Sequence, residues 1–110
     1  MHHQIKDEGG ILIAGFEGDI DLENSGDVRS VLLDCVFRGR AVVVDMSKVS
    51  LIDSSGVAGL LEAFQSARKK GKKFVLADLD PSVMRVLKLA RLDMVFVIAD
   101  DIPGGLAKAG

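Results

Sequence analysis

The chain has no tryptophan, no tyrosine and only five phenylalanines among 110 residues. Stacking recognition of single-stranded nucleic acid needs aromatic platforms, so this scarcity argues against that class of function. A single cysteine, Cys35, excludes an internal disulfide. It stands among apolar residues at helical spacing and reads as a small buried hydrophobe. The formal net charge is only -2. No electrostatic surplus therefore draws the chain to nucleic acid or anionic lipid. No apolar run approaches the length of a membrane span, and Met1-His2-His3-Gln4 is not followed by the apolar core of a signal peptide. The expectation is a cytoplasmic protein with no nucleic-acid partner and no direct membrane insertion.

Catalytic signatures are also scarce. There is no G-x-S-x-G elbow and no phosphate-binding G-x-x-x-x-G-K loop. The only histidines are His2 and His3, at the extreme N-terminus, a poor place for a catalytic base. Asp19 with Asp21, and Asp100 with Asp101, have no His or Cys at ligand spacing and read as loop carboxylates rather than metal ligands. A response-regulator receiver shares the strand–helix rhythm, but its acidic pair after the first strand and its lysine after the last are not evident. The expectation is a non-enzymatic protein with no cofactor and no metal.

What remains is a well-patterned apolar sequence: 48% hydrophobic and 27% charged, enough to build one core over a single domain, residues 1–110. Gln4-Ile5-Lys6 and Ile11-Leu12-Ile13-Ala14-Gly15-Phe16 read as strands joined by a Gly9-Gly10 hairpin turn. From Glu23 to Phe37, Val28, Val31, Leu32, Cys35 and Val36 recur at helical spacing, and Gly39 closes the helix. Ala41-Val42-Val43-Val44 is the kind of run that fills a strand covered on both faces. Val57, Leu60, Leu61, Phe64 and Ala67 trace the apolar stripe of a second helix, which ends in Arg68-Lys69-Lys70-Gly71. The basic run Arg68 to Lys73 reads as a solvated helix end whose cations complement the helix dipole. Phe74 to Ala77 is a further buried strand. Pro81 opens a helix, Met94 to Ile98 forms a last strand, and Pro103 opens a C-terminal helix. The order β-β-α-β-α-β-α-β-α predicts an α/β fold: a mixed, mainly parallel sheet of four to five strands with an antiparallel edge and about four helices.

In such sheets, ligands gather at the carboxyl ends of the strands, where Asp53-Ser54-Ser55-Gly56 falls. Asp53 or Ser54 can serve as the N-cap of the second helix, and Gly56 keeps its first turn free of bulk. Two roles fit these residues. One is capping alone. The other is a switch, in which a phosphate on Ser54 gains from unpaired N–H groups and about half a unit of positive charge at the helix end. It would also place a charge of about -1.5 to -2 beside Asp53 and disturb an acidic or apolar partner face.

Five segments, in order, resemble the STAS domain family of the anti-sigma factor antagonist type. Gly18-Asp19-Ile20-Asp21 before a helix resembles the family's G-[ED]-[LI]-D segment. Ala41 to Asp45 resembles its central strand, and Val49 to Gly56 its signature turn. Gly71 to Leu76 and Pro81 to Leu92 resemble the following strand and helix. The resemblance implies that Ser54 is phosphorylated by a serine-kinase anti-sigma factor with a histidine-kinase-like ATPase fold, which the unphosphorylated form binds. It also implies a metal-dependent serine/threonine phosphatase that resets the switch. Asp21, Asp53, Ser55 and Gly56 are the implied partner-binding positions, and Asp45 matches an acidic position less closely. A second implication is a STAS subunit of a lipid-transport ABC complex or a stress-sensing assembly, working without phosphorylation. One departure stands out. The family often has Ser-Gly-Leu after the third helix, where this chain has Ala90-Arg91-Leu92, so either Arg91 takes a C-cap conformation that glycine usually supplies or the turn differs.

Overall fold

A computed structural model describes residues 1–110. Two glycines with positive φ, Gly9 and Gly10 (61° and 91°), let the chain reverse within two residues. They pair β1 (His3–Glu8) antiparallel with β2 (Ile11–Ile20). From there strands and helices alternate: α1 (Ser25–Arg38), β3 (Ala41–Ile52), α2 (Ser54–Lys69), β4 (Lys73–Ala77), α3 (Pro81–Leu89), β5 (Val97–Ala99) and α4 (Ile102–Ala109). The sheet order is β1-β2-β3-β4-β5, parallel from β2 onward. The fold is thus the mixed, mainly parallel α/β sheet that the sequence predicts.

Each parallel strand lies beside its predecessor, and crossovers of one hand placed in one direction put every crossover helix on the same face. Leu12, Ala14, Val42, Val44, Phe74 and Leu76 point to that face and join α1, α2 and α3 in the larger core. Their alternate neighbours Ile11, Ile13, Val43 and Val75 point to the other, where α4 alone covers them with Ile102, Leu106 and Ala109. Cys35 is buried in the larger core, and burial pushes its thiol pKa up. No helix is long and apolar enough to cross a membrane.

Several boundaries differ from the sequence reading, that of β2 among them, which runs on past Phe16 to Ile20. First, α1 starts at Ser25 rather than Glu23. The Asp21 carboxylate accepts the N–H groups of Glu23 and Asn24, and the Asn24 side chain accepts that of Asp21, so residues 22–24 form a turn. Second, β3 runs on past Val44 to Ile52. Third, the last strand begins at Val97 instead of Met94, because Leu92–Met94 is a 3₁₀ turn. Arg91 enters that turn with φ 58° and ψ 24°, so of the two alternatives it takes the left-handed conformation that glycine usually supplies, at a cost of about 1 kcal/mol relative to glycine. The turn drops Phe96 into the core, edge-on to Phe64 with 5.3 Å between ring centroids.

Candidate functional site

The extension of β3 creates the site. β4 stops where Ala77 pairs with Asp45, yet β2 and β3 continue side by side to the pair Ile20 and Ile52. Beyond the sheet they form a two-stranded parallel ribbon with two register shifts. A hydrogen bond from the Asp53 N–H to the Ile20 carbonyl, 3.1 Å, closes its tip. The β2–α1 and β3–α2 loops, distant in sequence, thereby emerge side by side. The Ser82 hydroxyl of α3 donates to the Ser50 carbonyl and ties the ribbon to the next helix.

Asp53 is the N-cap of α2. Its extended backbone (φ -102°) turns the carboxylate onto the N–H groups of Ser55 (3.0 Å) and Gly56 (3.1 Å). The Ser55 hydroxyl donates to the same oxygen. These bonds hold the Asp53 carboxyl below the usual carboxylate range, the Ser55 hydroxyl contributing most, then the Gly56 N–H. A depressed carboxyl stabilises the fold above its unfolded value, about pH 4, and that contribution is lost as pH falls through the folded value. Melting temperature followed from neutral to acid pH should therefore show Asp53→Asn losing less than the wild type below about pH 4. Parallel curves for the two proteins would contradict the capping role.

Two adjacent serines meet opposite fates here. Ser55 is half-buried and its hydroxyl is committed to Asp53. Ser54, the first helical residue, is exposed, and its hydroxyl has no hydrogen-bond partner in the protein. Of the unpaired N–H groups expected at the helix start, Asp53 already occupies those of Ser55 and Gly56, and that of Ser54 remains without a partner. A phosphate on Ser54 would feel the helix dipole and the Asp53 charge together, and would stay on the solvent side.

The remaining sequence-predicted residues divide. Asp21 is exposed and joined to the site through the loop contact, though part of its carboxylate holds the β2–α1 turn. Gly56, expected at a partner surface, is buried instead. A Cβ there would lie 2.6 Å from Ile20 Cγ2 and 2.7 Å from Ile52 Cγ1, so the glycine lets α2 start directly on the ribbon tip. Asp45 lies at the other end of the ribbon, roughly 25 Å along β3 from Asp53, and accepts the Ser47 N–H. Asp101 is the N-cap of α4, accepting the Gly104 N–H at 2.7 Å.

Sequence reasoning missed Leu22 and Leu51. They are 80% and 57% exposed, and the Leu22 N–H faces the Asp53 carboxylate. Leucine directly after the G-D-I-D segment was the available signal.

Fold and site together define a small α/β domain that brings a loop pair and a helix start to one end of its sheet. The chain belongs to the STAS domain family, whose sequence profile matches residues 2–103. It is 26% identical over 102 residues to the anti-sigma F factor antagonist of Paenibacillus polymyxa, covering 91% of this chain and 83% of that protein. Its fold matches the crystal structure of an anti-sigma factor antagonist from Mycobacterium paratuberculosis with a TM-score of 0.89, at 21% identity, over 98% of this chain and 92% of the other. It also matches the Bacillus cell fate determinant SpoIIAA in its phosphorylated form, with a TM-score of 0.70 at 17% identity, over 90% and 92% of the two chains.

Proposed function

We propose that this protein is an anti-sigma factor antagonist that works by partner switching in the cytoplasm. It is a binding module rather than an enzyme. The unphosphorylated form docks on a serine-kinase anti-sigma factor through the paired loops, with Leu22 and Leu51 as apolar anchors and Asp21 and Asp53 as the polar frame. The kinase then modifies Ser54, the dianion dissolves the contact, and a metal-dependent phosphatase restores it. Gly56 contributes by position, holding the helix start against the ribbon, and Ser55 by fixing Asp53.

The observation that carries this reading is the contrast between the two hydroxyls. Only the Ser54 hydroxyl is both exposed and free of an internal acceptor, so only it can enter a kinase active site without breaking a cap. Incubation with the purified cognate kinase and ATP should place a single phosphate on Ser54, located by peptide mass spectrometry. Ser54→Ala should take none, and Ser55→Ala should still be labelled. Label on Ser55, or undiminished label in Ser54→Ala, would overturn the assignment.

A further inference from the structure

The basic run at the end of α2 meets an apolar notch at the opposite end of the molecule from Ser54. β4 pairs with β3 along all five of its residues, but with β5 only from Val75 to Ala77. The 3₁₀ turn carries the chain away before β5 begins, so Lys73 and Phe74 have no strand beside them on that side. The gap is a notch of about 390 Å³. Its apolar lining comes from Phe64, Phe74, Val75, Val95 and Val97. The last two are each 44% exposed, although they flank the core residue Phe96.

Four cations complete the lining, Arg68, Lys72, Lys73 and Lys108, with no carboxylate among them. The Arg68 guanidinium lies over the Phe64 ring, 5.9 Å from its centroid. Lys72 is already engaged, donating to the Val36 and Phe37 carbonyls at the end of α1. None of the four takes part in any of the protein's three ion pairs, which join the N-terminus to Asp27, Arg29 to Glu62, and Arg38 to Asp34. Cations outside any ion pair, lining a notch with apolar walls, match a ligand with an anionic head and an apolar body. An extended nucleic acid fits less well, since it needs a long basic track and exposed stacking rings.

We infer that this notch binds a single-chain amphiphilic anion, its carboxylate or phosphate held by Arg68, Lys73 and Lys108 and its hydrocarbon chain lying on Val95 and Val97. The site is independent of the switch reading. Phe64 and Arg68 lie ten and fourteen residues along α2 from Ser54, about 15 and 21 Å at the helical rise.

The test is a titration followed by amide chemical shifts, using hexanoate, octanoate and octyl phosphate below their micelle concentrations. Shifts are expected at Val75, Val95, Val97 and Lys108, with none at Ser54 to Gly56. Affinity should rise up to roughly fourfold per methylene added from hexanoate to octanoate. Lys73→Gln combined with Lys108→Gln should bind octanoate at least tenfold more weakly with only a small loss of melting temperature, both lysines being exposed and Lys108 lying in the last turn of α4. Several results would overturn the inference. These are octanol binding as tightly as octanoate, inorganic phosphate as tightly as octyl phosphate, or undiminished binding by the double variant. Binding only to phosphatidylglycerol vesicles, or equal competition by a short oligonucleotide, would do the same.

Discussion

Ser54→Asp should bind the anti-sigma kinase at least about tenfold more weakly than the wild type, while Ser54→Ala binds as well as wild type. The expectation follows from what surrounds the hydroxyl. Ser54 is exposed at the start of α2, the exposed Leu51 lies three residues before it in the chain, and the Asp53 carboxylate stands directly before it. A partner that covers this helix start strips water from it. A neutral hydroxyl gives up little. A carboxylate must shed its hydration beside a second carboxylate, with the Ser55 and Gly56 N–H groups already taken by Asp53. Because residue 54 is exposed and forms no internal hydrogen bond, neither variant should change the melting temperature appreciably. Calorimetric titration of both variants against the kinase, with thermal unfolding of each, separates a docking effect from a folding one. Equal affinity of Ser54→Asp and Ser54→Ala would contradict the account.

Gly56→Ala should be destabilising by about 2 kcal/mol, lowering the melting temperature by about 10 °C. An exposed helical glycine behaves in the opposite way, since alanine is the better helix former by up to about 1 kcal/mol. The sign reverses at position 56 because the new methyl would overlap Ile20 and Ile52. Both isoleucines are buried, with 1% and 6% exposure, and β-branched side chains have few rotamers in which to retreat. The Ile20 carbonyl, 3.2 Å from where the methyl would sit, is backbone and cannot yield without loosening the ribbon tip. Gly26→Ala is the control. Nothing lies within 4 Å of a Cβ there, so stability should be unchanged or slightly higher. Thermal unfolding of the two variants side by side checks the contrast, and equal melting temperatures would contradict it.

Most of the fold could be read from the sequence because it rests on local patterns. The two-glycine turn, the β-branched run at residues 41–44 and the helical stripe from Val57 to Ala67 each depend on near neighbours, and each forms as expected. The ribbon could not be read in this way. Beyond Val44 the buried residues of β3 are Met46, Val49 and Ile52, and the last three-residue steps suit a helix better than a strand. The register shifts rotate the strand so that such spacing still faces inward, and shifts of this kind depend on the partner strand. The 3₁₀ turn at Leu92–Met94 was hidden for a related reason. It follows from the left-handed Arg91 and from Phe96 seeking the core, not from any pattern in its own three residues.

The candidate site was partly legible. Aspartate before two serines and a glycine signals a helix start, and Asp53 is the cap. Which serine stays free could not be read from the tetrapeptide, since it depends on the Ser55 rotamer that meets Asp53. The role of Gly56 could not be read either, because the two isoleucines that exclude a side chain lie 36 and 4 residues away in sequence.

The most direct measurement prepares the protein with one phosphate on Ser54 and titrates it against the anti-sigma kinase beside its unmodified twin, recording the thermal unfolding of both. The account predicts matching unfolding curves and a loss of affinity at least as large as that of Ser54→Asp. Undiminished affinity in the phosphorylated protein, or affinity lost only because the fold has melted, would contradict it.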